Sequence, residues 1–288
     1  MSGVLAAVIL YNPSSDLISN VKTYVSEAAE LLIIDNSDRP HGLLAALKTD
    51  FPLHHYLRNL ENVGIARALN QAANFAINKK YTWLLTMDQD SYFAGGSVSA
   101  LIRMTQACIP DVGIYTPVHV NKDVMVKVRD AEWSVVKRTM TSGNLLNMDV
   151  FQKCGPFEEK LFIDYVDHEY NLRLRKNGYK IVRVNRSHLI HNLGNIESYK
   201  FSFISIKSTH HNAIRRYYIT RNRLYVIFRY FSFAPRFFFR EIYNYWVDCL
   251  RILLLDEHKL QKFFAVAEGT KDWLFGNYGK RRESRRGS

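Results

Sequence analysis

Short apolar runs alternate with amphipathic stretches along residues 1–110. This alternation is typical of βα units on a largely parallel sheet. It predicts strands at 3–11, 30–37, 54–57 and 81–88, and helices at 16–29 and 62–80, the second behind a glycine turn. The predicted fold class is therefore α/β, with a mostly parallel central sheet.

Polar residues stand where these predicted strands end. They are Asn12, the segments 35–37 and 62–67, and the segment 88–91. In open α/β sheets, ligands bind beyond the carboxyl ends of the strands. We therefore expect these residues to converge on one crevice.

The stretch YTWLLTMDQDS (81–91) ends an apolar strand in two carboxylates, Asp88 and Asp90. Side chains alternate faces with a period of two in an extended chain, so these two acids point the same way and repel each other. A divalent cation shared with a phosphate would relieve that repulsion. The alternative is a solvated turn in which the acids satisfy backbone groups.

Neither a dinucleotide-binding fingerprint nor a P-loop motif occurs in the sequence. Asn62 and Gly64 precede a predicted helix, whose first backbone amides are suited to a phosphate. A simple turn and helix cap explains the same residues.

A second acidic segment, FIDYVDHEYNLRLRKNGYKI (162–181), has helical spacing and a stop at Asn177-Gly178. Asp167 and Glu169 fall at the start of this helix, where the helix dipole favours carboxylates, so stabilising the helix is one role open to them. His188 and His191 follow after the next predicted strand. The small residues of TSGNLLN (141–147) permit the close approach of a ligand, and a plain turn explains them equally well.

Composition indicates a globular protein: 288 residues, 47% of them hydrophobic, are enough for a full core. The three cysteines are widely spaced and lack a C-x-x-C pair, so we expect a reducing compartment and no disulfide framework. The apolar N-terminus has no basic leader and runs into the first strand. We therefore expect no cleaved signal there.

The net charge of +12 is concentrated at the C-terminal end, where residues 201–288 hold 17 of the 39 Lys and Arg but 7 of the 27 Asp and Glu. Arginines interrupt every apolar run of residues 210–255, so a membrane-spanning helix is not expected. Basic and aromatic residues together favour contact with an anionic membrane surface. Each of these aromatic side chains could instead pack between helices. No nucleic-acid-binding module is recognisable in the sequence. Arg215, Arg216, Arg221 and Asn222 are alternative contacts to a diphosphate.

Five motifs in order resemble the inverting family 2 glycosyltransferases, and most of all the bacterial rhamnosyltransferases. They are YNP after strand 1, IIDNS after strand 2, NVGIARALNQA, MDQDS and the 162–181 segment, within a resemblance that covers about residues 4–230. The resemblance implies a GT-A nucleotide-sugar-binding fold. It places a catalytic domain at 1–205, with its nucleotide-binding part at about 1–110 and its acceptor part at about 111–205. A helical, membrane-associating region follows at 206–288.

The resemblance also implies roles for individual residues. Asp35 would bind the nucleobase, and the remaining nucleotide-sugar contacts would be Tyr11, Asn12, Asn36, Asn62, Gly64, Arg67 and Asp88. Mg²⁺ or Mn²⁺ would bind to Asp90, Asp88 and His191, the last matching the family's His followed closely by Gly, here Gly194. Asp167 would be the catalytic base. Asp164 and Glu169 stay as alternatives for catalysis or acceptor binding, because this chain has Val166-Asp167 where the family often has Glu-Asp.

The function implied is transfer of L-rhamnose from dTDP-L-rhamnose to a lipid-linked glycan, in the synthesis of a cell-surface polysaccharide such as O-antigen or capsule. The implied location is cytoplasmic, peripheral on the inner membrane of a bacterium, and no nucleic-acid partner is expected. Alternatives are another UDP- or dTDP-sugar donor, a nucleotidyltransferase, and a non-catalytic nucleotide-sugar or nucleic-acid-binding protein. The sequence predicts no oligomeric state.

Overall fold

The structure is a computed structural model that describes residues 3–39, 42–51, 54–121, 131–191, 196–201, 204–209, 212–254, 256 and 258–281. The strands are β1 (Val4–Leu10), β2 (Glu30–Asp35), β3 (His54–Arg58), β4 (Trp83–Asp88), β5 (Ser91–Phe93), β6 (Val112–Val120), β7 (Trp133–Val136), β8 (Asn144–Asn147), β9 (Lys180–His191), β10 (Ile196–Phe201) and β11 (Ile204–Thr209). The helices are α1 (Leu17–Lys22), α2 (Leu43–Asp50), α3 (Ile65–Asn78), α4 (Ser97–Arg103), α5 (Met148–Cys154), α6 (Val166–Lys176), α7 (Ala213–Arg229), α8 (Pro235–Leu254) and α9 (Lys259–Leu274).

The chain divides into two compact units. The first comprises Met1–Glu158 and Asp167–Asn192, and the second comprises Glu159–Val166 and Leu193–Ser288. The segment 159–166 thus belongs with the C-terminal helices, although it lies in the middle of the sequence. The sequence-based boundary at residue 205 falls inside the second unit.

The first unit is built on one sheet, whose nine strands within the described residues run in the order β3-β2-β1-β4-β8-β6-β9-β5, with β7 also paired to β9. The first four strands in this order are parallel to one another. The other half is mixed, because β8 runs antiparallel to both of its neighbours, and β5 and β7 run antiparallel to β9. The predicted parallel sheet therefore describes the N-terminal half only.

Most residues of the inner strands β1, β2 and β4 are buried. Every residue of β1 is buried, which explains why its sequence is a continuous apolar run and not an alternating one. Helix α3 packs alanines such as Ala66, Ala72 and Ala76 into the core, and such small side chains allow a close approach of helix and sheet.

The helix predicted at 16–29 is shorter in the structure. Helix α1 ends at Lys22, and a single 3₁₀ turn follows at Val25–Glu27. The Thr23 hydroxyl donates to the Asn20 carbonyl at 2.6 Å, and Thr, Tyr and Val are weak helix formers. Local hydrogen bonding thus ends the helix early.

Helix α7 is the centre of the second unit and buries unusually polar side chains. Asn222 Nδ2 donates to the carbonyls of Leu161 and Ile163, both at 2.7 Å. Arg221 donates to the Leu161 carbonyl at 3.3 Å, and Arg216 lies 3.5 Å from Asp256. These side chains, named above as alternative contacts to a diphosphate, are thus engaged within the second unit.

None of the helices in the described ranges combines the length and apolarity required to cross a lipid bilayer.

Candidate functional site

The acid pair of the MDQDS motif lies where β4 ends. Gln89, between the two acids, ties this point to the end of β1. The Tyr11 N–H donates to Gln89 Oε1 at 2.8 Å, and Gln89 Nε2 donates back to the Tyr11 carbonyl at 3.0 Å. The sequence did not indicate this role of Gln89. The alternating pattern shows that the two aspartates share a face, but it does not show which residue the Gln89 side chain contacts.

Asp88, Asp90 and His191 form one group in which each residue offers a ligand atom and all of these atoms lie within 4.8 Å of one another. The strand pairing brings them together, since His191 of β9 is opposite Ser91 of β5. His191 Nδ1 lies 3.6 Å from Asp90 Oδ1 and 2.7 Å from Ser91 Oγ. Two carboxylates and an imidazole are suitable ligands for Mn²⁺, and the carboxylates also suit Mg²⁺.

The electrostatics of this group favour a cation. Burial and, after it, the negative charge of Asp90 raise the pKa of Asp88, and His191 opposes the shift; the resulting pKa is about 6. The charge of Asp167 contributes to the same increase in the pKa of Asp88. A positive ion at this point would stabilise the ionised carboxylate, so the residues fit a divalent metal ion.

The small-residue segment 141–147 lies beside the acid pair. Ser142 Oγ accepts the backbone N–H of Asp88 at 3.0 Å, and the Ser142 carbonyl accepts from His119 Nε2 at 2.8 Å. Burial lowers the pKa of His119, which favours a neutral ring that donates through Nε2. Ser142 belongs to the segment that the sequence singled out. His119 does not, because a single histidine in a strand carries no pattern.

At the end of β2, Asp35 is fully buried. Its carboxylate accepts the Tyr56 hydroxyl at 2.5 Å and the Ser37 N–H at 3.0 Å. Burial and the bond to Asp35 raise the pKa of Tyr56, so this hydroxyl stays protonated and donates. Tyr56 holds the carboxylate in place, and no pattern in the sequence indicates this contact.

An amide network fixes the loop between β3 and α3. Asn36 Nδ2 donates to Asn62 Oδ1 at 3.0 Å, and the same oxygen accepts the Gly64 N–H at 2.9 Å. Gly64 has a φ of 84°, a conformation that favours glycine, immediately before α3. Arg67 is exposed in the first turn of that helix.

The remaining predicted contacts lie at the end of β1. Tyr11 is partly exposed, and its hydroxyl donates to Asp38 at 3.0 Å. Asn12 has a φ of 47°, and its N–H donates to Ser37 Oγ at 2.9 Å. Hydrogen bonds thus link the loops after β1 and β2.

The acids at the start of α6 have different environments. Asp167 Oδ1 accepts the His168 N–H at 2.7 Å and lies 3.0 Å from the His168 ring. Burial alone would raise the pKa of Asp167, but the His168 charge and hydrogen bonds outweigh burial and lower it. Asp167 is therefore an ionised proton acceptor at neutral pH. Glu169 is fully buried and accepts two bonds from Arg173, at 2.7 and 3.2 Å.

Asp164 and His188 are two further residues that the sequence analysis named. Asp164 belongs to the second unit, has a φ of 60°, and pairs with Arg215 at 3.2 Å. His188 is not in the Asp88, Asp90 and His191 group, and its Nε2 is buried without a hydrogen-bond partner in the part of the chain that the structure describes. Gly194, expected to accompany His191, lies outside the described residues.

The parallel half of the sheet carries polar loops and an acidic cluster at the carboxyl ends of its strands. These are features of a glycosyltransferase that uses a nucleotide sugar. Residues 7–165, more than half of the chain, match the sequence model of the family described as Glycosyl transferase family 2. The chain belongs to this family.

Two individual proteins extend the comparison. The chain is 26% identical over 245 residues to the dTDP-rhamnosyl transferase RfbF of Shigella flexneri, a match that covers 77% of this chain and 78% of RfbF. Among solved structures, it resembles that of GalNAc-T7 with UDP, GalNAc and Mn²⁺, with a TM-score of 0.61 and 14% identity. That match covers 83% of this chain and 50% of the GalNAc-T7 chain, and it supports the fold alone. The predicted GT-A fold and the resemblance to rhamnosyltransferases are confirmed.

Proposed function

We propose that this protein is a metal-dependent, inverting rhamnosyltransferase that uses dTDP-L-rhamnose as its donor. The observation that carries the proposal is the cluster of Asp88, Asp90 and His191 at the carboxyl edge of a family 2 glycosyltransferase sheet. The similarity to a protein named dTDP-rhamnosyl transferase supports the choice of sugar. Another UDP- or dTDP-linked sugar is the alternative donor for the same site.

Asp88, Asp90 and His191 would hold Mn²⁺ or Mg²⁺. The ion would neutralise the diphosphate leaving group of the donor. The solved structure of GalNAc-T7, which has a similar fold, contains UDP and Mn²⁺, and this supports the choice of a divalent ion. The Gln89 contacts to Tyr11 would keep the two carboxylates at a fixed position relative to the donor.

The donor nucleotide would bind along the loops that follow β1, β2 and β3. Asp35 would accept a hydrogen bond from the imide N–H of the thymine, with Tyr56 holding the carboxylate. Tyr11, Asn12, Asn36, Asn62, Gly64 and Arg67 would form the remainder of this surface. The Asn36–Asn62–Gly64 network would present the first backbone amides of α3 to a phosphate.

Asp167 is the catalytic base in this proposal. An inverting transfer requires a base that takes the proton of the acceptor hydroxyl while its oxygen attacks the anomeric carbon and the bond to the diphosphate breaks. The lowered pKa of Asp167 keeps it ionised for this step. Glu169 is less suitable because Arg173 occupies both of its oxygens. Asp164 is paired with Arg215.

The acceptor in this proposal is a lipid-linked glycan of cell-surface polysaccharide synthesis, reached by peripheral attachment to the cytoplasmic face of the inner membrane. Catalysis is assigned to residues 1–205 and membrane association to residues 206–288. The excess of basic residues in the C-terminal region supports this assignment, since anionic lipids attract such segments.

The test is a panel of nucleotide sugars, each added with and without Mn²⁺. Two quantities are measured for each, namely the shift in the melting temperature of the protein and the rate of donor hydrolysis. A ligand that binds the native state raises its thermal stability. We expect dTDP-L-rhamnose with Mn²⁺ to give the largest shift and metal-dependent hydrolysis. Stabilisation by a UDP-sugar in its place would select the alternative donor, and no response to any member would contradict the proposal.

A further inference from the structure

Helix α8 is amphipathic in the reverse sense to most helices of globular proteins. Its acidic residues point inward: Glu241 is buried, and Asp248 pairs with Arg223 of α7 at 2.7 Å. Its large apolar residues point to solvent at helical spacing, and they are Phe239, Tyr243, Trp246, Leu250, Leu253 and Leu254. Trp246 has 66% of its surface exposed and Tyr243 has 67%. Charge pairs hold this helix to α7, and its apolar stripe is left uncovered.

Helix α9 adds a second stripe to the same surface. Leu260, Phe264, Leu274 and Phe275 are exposed along it, with Phe264 at 67%. A groove of about 720 Å³ joins the two stripes, lined by Trp246 and Leu253 from α8 and by Phe263 and Leu274 from α9. We call this combined surface of α8 and α9 the apolar outer face. Exposed apolar surface of this extent is rare on soluble monomers and marks a site of interaction.

The exposed charges of the C-terminal helices indicate what kind of partner binds to this face. On the described residues of α7, α8 and α9, every exposed charged side chain is basic, namely Arg215, Arg229, Arg236, Arg240, Lys259 and Lys271. The acids on these helices are buried or half-buried; Glu241, for example, pairs with Arg240 at 3.1 Å, and Glu268 pairs with Arg281 at 2.5 Å. Lys271 lies in the groove wall itself. These helices therefore combine uncovered apolar side chains with exposed charges that are all positive, one of which, Lys271, borders the groove.

We infer that the apolar outer face docks on an anionic lipid bilayer, with α8 and α9 lying in the plane of the interface. The apolar stripes would enter the boundary between head groups and acyl chains, where Tyr and Trp are favoured. Lys271 and other exposed basic side chains of these helices would contact the lipid phosphates. This inference rests on the proposed function for its purpose, which is to bring the catalytic unit to a lipid-linked acceptor.

The test is co-sedimentation with vesicles of phosphatidylcholine alone and of phosphatidylcholine with phosphatidylglycerol. We expect strong binding to the anionic vesicles that weakens as salt is raised, and weak binding to the neutral ones. The double variant Trp246→Glu with Leu250→Glu should bind at least about tenfold more weakly, since it places charge in the apolar stripe. Val135→Glu, at an exposed apolar position of the first unit, is the matched control and should bind normally.

Depth of insertion gives a second measurement. Lipids with brominated acyl chains should quench the fluorescence of the bound protein, and Trp246→Phe should lose much of that quenching. Phe264→Glu tests α9 separately from α8. Vesicle binding that the double variant leaves unchanged would overturn the inference. A dimer in solution that the double variant dissociates, together with no vesicle binding, would assign the face to a second copy of the chain.

Donor hydrolysis in solution separates this inference from the proposed function, because it requires no bilayer. Normal hydrolysis by a protein that fails to bind anionic vesicles would contradict the docking surface alone. Normal vesicle binding without hydrolysis of dTDP-L-rhamnose would contradict the proposed function alone.

Discussion

Glu169 and Arg173 form a two-point ion pair across one turn of α6, with distances of 2.7 and 3.2 Å. The Glu169 side chain is fully buried, and Arg173 also donates to the Cys154 carbonyl at 3.0 Å. The pair joins α6 to the end of α5. A carboxylate in this position stabilises α6 and its contact with α5.

Asp167→Asn keeps the shape of the side chain and removes its proton acceptor. We expect turnover to fall roughly 100- to 10,000-fold while donor binding is retained. Single-turnover kinetics and calorimetric titration with dTDP measure the two effects separately. Near-normal turnover in this variant, with an inactive Asp164→Asn, would shift the base to Asp164.

Glu169→Ala should act on stability. Removal of one partner from a buried ion pair costs about 3 kcal/mol or more, because the other charge is left uncompensated. Urea unfolding should show this loss, whereas Asp167→Asn should unfold close to wild type. Loss of activity in Glu169→Ala at a temperature where the variant is fully folded would contradict a purely structural role.

Asp90→Ala removes one ligand from the proposed metal site. We expect affinity for Mn²⁺ to fall at least about tenfold and metal-dependent hydrolysis to be lost. Isothermal titration with Mn²⁺ is the direct measurement. Asp149→Ala, at an exposed acid of α5 outside the site, serves as the control and should bind the ion normally. Equal affinity in the two variants would remove Asp90 from the site.

Asp35→Asn should weaken dTDP binding, because an amide oxygen is a poorer acceptor for the thymine imide and the new NH₂ group opposes it. Tyr56→Phe is the variant to compare with it. It removes the hydroxyl that donates to the Asp35 carboxylate at 2.5 Å and leaves that carboxylate intact. We expect a smaller loss of affinity from Tyr56→Phe. If both variants lower the melting temperature and neither changes the dissociation constant for dTDP, Asp35 is structural.

Gly143→Ala tests the segment beside the acid pair. Gly143 has a φ of 80°, and an added Cβ would lie 2.9 Å from side-chain atoms of both Leu189 and Pro117. Gly178 has a φ of 87°, with nothing within 4 Å of an added Cβ. Both substitutions strain the backbone by about 1 kcal/mol, and only Gly143→Ala adds a clash of about 1–3 kcal/mol. Equal unfolding free energies for the two variants would contradict this packing.

Local patterns were sufficient to locate β1 to β4, and the family resemblance added the candidate metal ligands. Asp88 and Asp90 share a face because the chain is extended there, and His191 meets them because β9 pairs with β5. Pairing direction was harder to predict, since β8 looks the same from its sequence whether it runs parallel or antiparallel to β4. The partners of Asp35 and Asp167 could not be predicted either. Tyr56 is distant in the sequence, and the position of His168 does not reveal which carboxylate it contacts. Arg173 differs, since it stands four residues after Glu169, a spacing at which helix side chains pair.

The bonds from Asn222 to the carbonyls of Leu161 and Ile163 bear on how this enzyme can be shortened. The Gly279 N–H also donates to the Lys160 carbonyl at 2.8 Å, so the far C-terminal end completes the same hydrogen-bonding set. Deleting the C-terminal helices to obtain a more soluble protein would expose the backbone of 160–163, only a few residues before Asp167. Solubility is better sought by polar substitutions on the outward side of α8, which leave this internal support in place. The same contacts would make the C-terminal helices difficult to exchange between related enzymes unless the segment 159–166 is exchanged with them.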